Sequence, residues 1–295
     1  MSEYYWDTKI EYLRKTRWLY YNDDYLEFLI RTVWKINKPV NIIDYGCGFG
    51  YLGLKLLPLL PDGSTYTGLD KGVDLIHQAK EIFSKLSFET KFMVCDIENV
   101  RLEEKYDIAL SHAFLLHMTD PRSILQTMID SVVDHGMVIC FEPHWIGNMA
   151  NYYLEGNDQS TVVRLGVLQK LYERDSERTG KNGNIGMQLP VIMSQLGLEN
   201  VGCRVSDKVN YLDQYMDAES KDTLYRALKE EGLGHKPDHR SEFINNLISR
   251  GLNENEAKEE YAAEVTFSEK FSEESWLVYA PNMKISFGTV QRYIK

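Results

Sequence analysis

The chain between Val40 and Glu142 alternates short apolar runs with longer amphipathic segments. The runs predict five strands, at residues 40–44, 64–70, 91–96, 106–111 and 136–142, and the segments between them predict helices at 51–59, near 73–85 and from Pro121. Strands that alternate with helices in this way run parallel within one sheet. Because the runs are apolar almost throughout, we expect helices to cover both faces of that sheet.

The regions on either side of this alternation have a different pattern. Residues 1–38 are rich in Tyr and Trp at helical spacing and form an N-terminal aromatic helical segment, which is followed by a core at 39–145. Residues 146–295 contain helical additions, at about 146–186 and 210–275, together with the last strands of the same sheet. Their pattern predicts helices near 157–178, 187–196, 214–231 and 241–264, a strand at 201–209 and strand-like character over 276–291. Gly251 and a capping-box pattern at Asn253 to Glu256 divide the last of these helices.

Three glycines, Gly46, Gly48 and Gly50, follow the first predicted strand in the stretch NIIDYGCGFGYLG. Glycine lets a turn bring its backbone amides close to a ligand, and ligands of open parallel sheets bind beyond the carboxyl ends of the strands. The nicotinamide fingerprint GxGxxG requires a third glycine at position 51, which is Tyr51 here. Asp44 precedes the turn, and its carboxylate would repel a pyrophosphate but tolerate a ligand with a positively charged amino-acid end.

Acidic or polar groups also follow the other predicted strands. Asp70 closes the second strand in TGLDKG, and Asp96 closes the third in FMVCDIENV. The fourth strand runs into SHAFLLHMTDP, and the fifth ends in FEPHW. Parallel strands present their carboxyl ends at one edge of the sheet, so these groups are expected to face one ligand site.

With these motifs, residues 40–145 resemble the small-molecule branch of the class I S-adenosylmethionine-dependent methyltransferases. The resemblance implies an α/β, Rossmann-like fold with a seven-stranded, mostly parallel sheet, helices on both faces and helical cap insertions. It also implies S-adenosylmethionine as the cofactor and S-adenosylhomocysteine as the product. The cofactor-binding residues predicted with it are Asp44, Gly46, Cys47, Gly48, Gly50, Asp70, Lys71, Asp96, Ile97 and Ser111, and the aromatic N-terminal segment adds Tyr20.

The resemblance assigns a part of the cofactor to several of these residues. Asp44 would hold the methionine end, directly or through water, Asp70 the ribose hydroxyls, and Asp96 the adenine amine with Ile97 beside the ring. Phe49 stands where the family often has Thr or Ser, which removes a hydroxyl contact to the cofactor but leaves the backbone geometry.

Catalytic residues are harder to read because a sulfonium already carries an activated methyl group, so that alignment supplies much of the catalysis. A general base is needed only if the acceptor must lose a proton. His117 and His144 are the predicted bases or substrate contacts, with a packing role as the alternative for His117. His112 and Glu142 are further candidates, and Glu142 is alternatively a structural acceptor for loop amides.

The aromatic N-terminal segment has two interpretations. Its rings, Tyr4, Tyr5, Trp6, Trp18, Tyr20 and Tyr21, either close over the cofactor and stabilise its sulfonium or form the buried face of a docking helix. For a role at the ligand, Tyr20 and Tyr21 are the first choices.

Charge and composition narrow the function. The chain has 33 basic and 44 acidic residues, a formal net charge of −11, which disfavours nucleic-acid partners. Its four cysteines are far apart and predict neither a metal site nor a redox pair. Without a long apolar run or a signal peptide, we expect no membrane partner and a cytoplasmic enzyme.

The leading hypothesis is an enzyme that methylates an oxygen, nitrogen or carbon atom of a small molecule. The segment SHAF, at 111–114, does not match the Asn/Asp-Pro-Pro-Tyr/Phe signature of enzymes that methylate adenine or glutamine amides. Two alternatives stay open: a catalytically silent cofactor-binding module that acts through partners, and a methyltransferase that acts on protein or RNA. The sequence leaves the oligomeric state open between monomer and homodimer.

Overall fold

The computed structural model describes residues 4–100 and 102–292. Its strands are β1 (Asn41–Tyr45), β2 (Thr65–Asp70), β3 (Glu89–Val94), β4 (Tyr106–His112), β5 (Val132–Pro143), β6 (Tyr152–Leu154), β7 (Glu199–Val205), β8 (Asn210–Leu212), β9 (Leu277–Tyr279) and β10 (Met283–Thr289). Seven of them form one sheet in the order β3-β2-β1-β4-β5-β10-β7. Five neighbouring strands are parallel, and β10 is antiparallel to both β5 and β7. The predicted seven-stranded, mostly parallel α/β fold is confirmed.

The helices are α1 (Ile10–Thr16), α2 (Asp23–Phe28), α3 (Tyr51–Leu56), α4 (Val73–Phe83), α5 (Pro121–Ser131), α6 (Trp145–Ala150), α7 (Gln159–Val162), α8 (Leu165–Thr179), α9 (Leu189–Gln195), α10 (Ala218–Glu230), α11 (Arg240–Ser249) and α12 (Glu254–Lys270). A π-helical turn (Leu29–Val33) continues α2, and 3-10 turns lie at Tyr5–Lys9, Arg17–Leu19, Leu57–Leu59, Ile97–Asn99, Leu115–His117 and Ile185–Met187. Within the described residues, no helix is both long and apolar enough to cross a membrane.

Alternate residues of the central strands enter two different cores. Ile42 of β1 packs in the core that contains Leu52 of α3 and Phe83 of α4. Its neighbour Ile43 packs in the second core, with Met128 of α5. Successive side chains of a strand point to opposite faces, so helices on both faces explain the uninterrupted apolar runs of the sequence.

The break predicted at Gly251 is present. Gly251 has φ 107° between α11 and α12, and Asn253 and Glu256 form the reciprocal hydrogen bonds of a capping box at the start of α12. The helix predicted at 157–178 is divided as well, because α7 ends at Val162 and α8 begins at Leu165.

A second sheet, of three antiparallel strands in the order β6-β9-β8, was not predicted. Each of its strands has three residues, which is too short for a recognisable alternation of apolar and polar positions. The strand-like stretch 276–291 therefore contains two strands that belong to different sheets, β9 and β10. Tyr152 of β6 and Tyr279 of β9 are directly paired, and both line a cavity described below.

Candidate functional site

The turn after β1 is built around glycines with positive φ. Gly46 has φ 73° and Gly50 has φ 86°, conformations that favour glycine. A Cβ at Gly46 would lie 2.3 Å from the ring of Phe114, and one at Gly50 would lie 2.6 Å from the ring of Phe83. Glycine at position 46 therefore lets the turn pack closely against the segment after β4, and glycine at position 50 lets it pack against the core.

A cleft lies at the carboxyl edge of the sheet beside this turn. Its inner part has a volume of about 70 Å³ and its outer part about 560 Å³. Both parts are lined by Tyr4, Trp6, Gly46, Asp70, Phe114, His117 and Met118. The inner part adds Cys47 and Gly48, and the outer part adds Lys71, Asp96 and Ile97. The structure thus brings together seven of the residues that the sequence predicted for cofactor binding. We call this space the sheet-edge cleft.

Asp70 is fixed where the two parts of the cleft meet. Its Oδ2 accepts the N–H of Gly48 at 2.9 Å, and its Oδ1 accepts the N–H of Gly72 at 2.8 Å. Burial raises the pKa of this carboxyl, and the two amides oppose that shift. Each oxygen still has a lone pair, so the carboxylate can also accept hydrogen bonds from a ligand's hydroxyl groups.

Asp96 lies in the outer part of the cleft. Lys71 Nζ is 3.0 Å from its Oδ2 and lowers the pKa of the carboxyl. Its Oδ1 accepts the N–H of Glu98 at 3.3 Å, which orders the turn that contains Ile97. Both charged side chains of the ion pair are partly exposed, so Asp96 can accept a second donor from a ligand.

Two other predicted cofactor residues lie inside the protein. Asp44 is buried within β1, and its Oδ2 accepts the hydroxyl hydrogen of Tyr66 at 2.5 Å. Ser111 is fully buried in β4 and donates to Glu142 Oε1 at 3.1 Å. Neither side chain lines the cleft, although the sequence predicted both for cofactor binding.

Glu142 has the structural role that was one of its two predicted alternatives. Its Oε1 accepts the N–H groups of Phe114 at 3.1 Å and Leu115 at 2.9 Å. The segment held in this way includes Ala113, whose φ of 48° is uncommon for a residue other than glycine. Glu142 thus fixes a strained segment that forms one wall of the cleft.

A second cavity, of about 420 Å³, adjoins the cleft. Eight aromatic residues contribute to its wall: Trp6, Tyr12, Tyr20, Trp145, Tyr152, Tyr172, Phe267 and Tyr279. The charged residues in its wall are Arg17, Glu231 and Glu264. It shares Trp6, Arg17, Ala113 and His117 with the inner part of the cleft. We call it the aromatic cavity.

The two predicted histidines have different positions. His117 lines the aromatic cavity and both parts of the cleft, with its ring 4.9 Å from that of Trp6. Burial is the main cause that lowers its pKa to about 4, so the imidazole is neutral at pH 7. His144 directly precedes α6 and does not line these cavities: its N–H donates to the carbonyl of Asn282 at 3.0 Å, and its ring lies against Gly147.

The N-terminal segment combines the two roles considered from its sequence. Tyr4 and Trp6 line the cleft, whereas Leu13 of α1 packs against Phe49. Tyr20, which was predicted to contact the cofactor, lines the aromatic cavity instead, and its hydroxyl donates to Glu231. Tyr21, the other first choice, is buried with its hydroxyl 3.1 Å from His112 Nε2.

Sequence reasoning missed most of the aromatic cavity. Arg17 gave no signal, since a single arginine among helical aromatic residues resembles any solvated side chain. Glu264 lies in the acidic, amphipathic run 254–264, whose pattern is typical of a solvated helix face, and Tyr172 lies in an amphipathic helix without a motif. Only the tertiary structure brings these residues together.

A family model described as a methyltransferase domain matches residues 36–232, which is two thirds of the chain. The chain belongs to this methyltransferase family. It is a class I S-adenosylmethionine-dependent methyltransferase, and its cofactor is S-adenosylmethionine.

Curated relatives match over shorter stretches. The chain is 31% identical over 150 residues to malonyl-[acyl-carrier protein] O-methyltransferase 1 of Ilyobacter polytropus, covering 50% of this chain and 54% of the relative. It is 31% identical over 99 residues to the malonyl-[acyl-carrier protein] O-methyltransferase of Acetivibrio thermocellus, covering 34% of each. The chain thus spans about half the length of the first relative and a third of the second.

Among solved structures, phosphoethanolamine N-methyltransferase 2 of Haemonchus contortus, in complex with phosphomonomethylethanolamine and S-adenosylhomocysteine, superposes with a TM-score of 0.52. The match covers 98% of this chain and 58% of that one at 14% identity, so it supports the fold alone.

The described residues of the cleft fit S-adenosylmethionine. Asp70 is held open toward the cleft by two backbone amides, as a ribose acceptor requires. Ile97 offers an apolar surface beside Asp96 for adenine. The narrow inner part suits an extended methionine end, and its wall includes Arg17.

Asp7 fastens the N-terminal segment over this cleft. Helix α4 begins after Gly72, which has no side chain to cap it, and Asp7 Oδ1 accepts the N–H groups of Asp74 at 3.1 Å and Leu75 at 3.0 Å. Loss of a helix cap costs about 1 kcal/mol. We expect Asp7→Ala to release S-adenosylhomocysteine about five-fold faster than the native protein, measured by stopped-flow tryptophan fluorescence.

Asp7→Asn is the matched control for this prediction, because asparagine also caps helices. It should release the ligand at close to the native rate. Equal release rates for the native protein and Asp7→Ala would contradict the fastening role.

Proposed function

We propose that this methyltransferase transfers the methyl group of S-adenosylmethionine to an oxygen, nitrogen or carbon atom of a small molecule held in the aromatic cavity. The cofactor supplies a methyl group activated by the sulfonium. The observation that carries the proposal is the junction between the cavity and the inner part of the cleft, where both share Trp6, Arg17, Ala113 and His117. Such a junction aligns an acceptor atom with a methyl group in the cleft, which is the main requirement for this reaction.

On the cofactor side, we propose that Asp70 accepts hydrogen bonds from the ribose hydroxyls and that Asp96 accepts one from the adenine amine. The turn containing Gly46, Cys47 and Gly48 would contact the methionine end through its backbone. Support comes from the positions of these residues, which line the inner and outer parts of one cleft.

Arg17 is proposed to bind the carboxylate of the methionine end. Its guanidinium has no hydrogen bond or ion pair within 4 Å to the residues in 4–100 and 102–292, although it lines the inner part of the cleft. An arginine so placed offers several donors to a carboxylate. An unpaired cation next to a sulfonium would otherwise be unfavourable.

His117 is proposed to accept a proton from the acceptor or to orient it. Its neutral imidazole borders all three spaces, so it has access to an acceptor atom at the junction. A packing role against Trp6 is compatible with this function, because the contact fixes the ring's orientation.

A small-molecule acceptor is favoured over a macromolecule because the aromatic cavity is lined from many elements, including α1, α6, α8 and α12. The curated relatives named above act on malonyl groups carried by a protein, and that acceptor is not part of the proposal for this chain. A silent binding module would bind the cofactor as well, and turnover distinguishes it from an enzyme.

The experiment compares native protein with Arg17→Met by calorimetric titration of S-adenosylhomocysteine and of 5′-methylthioadenosine, which lacks the carboxylate. A charge-assisted hydrogen bond contributes about 1.5–3 kcal/mol, so affinity for the first ligand should fall about 10- to 100-fold. Affinity for the second should not change. Arg14→Met is the control, because Arg14 lies three residues earlier, in α1, and pairs only with exposed Glu11 among the described residues.

Turnover is then measured with methyl-labelled cofactor and a panel of small amines, carboxylic acids and phenols. Transfer of label to one of them supports the enzyme. Failure of the folded native protein to bind S-adenosylhomocysteine would refute the proposal, and tight binding without transfer to any acceptor class would favour the silent module.

A further inference from the structure

The aromatic cavity is a void of about 420 Å³ whose wall is rich in ring faces and edges. On one part of the wall, the rings of Tyr152 and Phe267 are stacked at 5.0 Å. The rings of Trp145 and Tyr172 contact edge to face at 5.6 Å. Protein interiors are normally packed without spaces of this size, so rings that border such a space are available to a ligand.

Glu264 of α12 lies in the same wall. Within the parts of the chain that the structure describes, its carboxylate has no hydrogen-bond donor or cationic partner. Glu260 is one helical turn earlier, is 3% exposed, and has a buried Oε2 without a hydrogen-bond partner in that same part of the structure. Burial of a carboxylate without a partner costs free energy, so a cation bound beside Glu264 and Glu260 would be stabilised there.

The pKa values of the two carboxyls are both raised, so a cation bound beside them would favour their charged forms. Burial raises the pKa of Glu264 to about 7, and burial together with the charge of Glu264 raises that of Glu260 to about 8. Burial, together with these two glutamates, raises the pKa values of Tyr152 and Tyr172, so both phenols are neutral, whereas Arg164 and Arg250 lower the pKa of Glu260 only in part.

The other two charged side chains of the cavity wall, Glu231 and Arg17, already have a partner or a proposed ligand. Glu231 accepts hydrogen bonds from the hydroxyls of Tyr12 and Tyr20 and lies within the field of Arg17. The guanidinium of Arg17 is assigned above to the carboxylate of the cofactor. Glu264 is therefore the charged group of the cavity wall that is left for the acceptor.

We infer that the acceptor of this enzyme carries a positively charged nitrogen, an ammonium or alkylammonium group, which binds between Glu264 and the rings of Tyr152, Tyr172 and Phe267. Carboxylate charge and aromatic faces are the two features that attract such a group, because the faces of aromatic rings are electronegative. An acceptor with an anionic group at this place would be repelled. The inference rests on the proposed function, since it names the class of molecule that occupies the acceptor cavity.

The test uses two probes of nearly the same shape: choline, which carries a quaternary ammonium, and 3,3-dimethylbutan-1-ol, which is neutral. Each is titrated into the native protein saturated with S-adenosylhomocysteine, at pH 8, and followed by calorimetry. We expect choline to bind at least ten-fold more tightly than the alcohol. Equal affinities, or no binding of choline, would overturn the inference without the need for any variant.

Glu264→Gln then tests the assigned residue. It should lose at least ten-fold in choline affinity while S-adenosylhomocysteine binds as in the native protein, which also confirms that the variant is folded. Glu269→Gln is the matched control, because it removes the same charge from an exposed position on the same helix. Retention of choline affinity by Glu264→Gln would overturn the assignment.

The outcomes separate the two proposals. If native protein does not bind S-adenosylhomocysteine, the proposed function fails. If it binds that ligand and prefers the neutral probe, the proposed function stands and the cationic acceptor is wrong.

Discussion

Gly46→Ala is expected to weaken binding of S-adenosylhomocysteine by roughly 100-fold. The residue has φ 73°, and the added Cβ would lie 2.3 Å from Phe114 Cδ2. Placing a non-glycine residue in this backbone region costs about 1–2 kcal/mol, and overpacking costs about 1–3 kcal/mol more. Phe114 cannot retreat freely, because its N–H is held by Glu142. The strain therefore moves one wall of the cleft, and calorimetric titration measures the loss.

Gly63→Ala is the control that isolates the clash. Gly63 has φ 87°, but a Cβ there would be 3.7 Å from its nearest neighbour, Pro39, in an ordinary contact. This variant carries the same type of backbone penalty away from the cleft. It should lose about 1 kcal/mol of unfolding free energy and no ligand affinity. Equal ligand affinities of the two variants would show that Gly46 has no special place in the site.

Asp70→Asn is expected to weaken binding of S-adenosylhomocysteine by at least about 30-fold. The carboxylate accepts two backbone N–H groups, and an amide nitrogen in place of one oxygen would face a donor with a donor. An unsatisfied buried group of this kind costs about 1–3 kcal/mol, and the ribose contacts are lost in addition. Calorimetry gives the affinity, and urea unfolding gives the cost to the fold.

Two comparisons define what that result means. Native protein should prefer adenosine to 2′,3′-dideoxyadenosine, and the variant should lose most of that preference if Asp70 contacts the ribose. Asp62→Asn changes an exposed carboxylate in the loop before β2 and should match the native protein in both assays. Unchanged affinity of Asp70→Asn for S-adenosylhomocysteine would remove the central support for the cofactor assignment.

The cofactor half of the site could be read from the sequence because its residues follow strands. Asp70 is the last residue of β2, and Asp96 comes two residues after the end of β3, so both lie at the edge where the sheet ends. Asp44 and Ser111, which the sequence also predicted for the cofactor, do not line the cleft, for a related reason. Each is the penultimate residue of its strand, where side chains still alternate between the two faces of the sheet, so each points into a layer of the protein instead of beyond the edge.

The aromatic cavity could not be predicted from the sequence because its residues share no pattern. Tyr152 is in a three-residue strand, Tyr172 in α8 and Glu264 in α12. In each segment the local pattern of apolar and polar positions is explained by an ordinary core or surface role for that residue. Their meeting depends on how the additions after β5 pack, including a small sheet with strands from three distant parts of the chain. Local sequence contains no information about that packing.

The N-terminal aromatic segment forms part of the wall of both the sheet-edge cleft and the aromatic cavity. Trp6 and Arg17 border the cleft and the aromatic cavity, and Tyr12 and Tyr20 add to the cavity. With the acceptor in the aromatic cavity, as proposed, a ligand in the cleft that keeps this segment in place completes the wall for the acceptor. We therefore expect the two affinities to be coupled, and thermodynamic linkage then requires each ligand to strengthen the other by the same factor. Release of S-adenosylhomocysteine would then also weaken binding of the methylated product. Both products would therefore leave in a single opening of the segment.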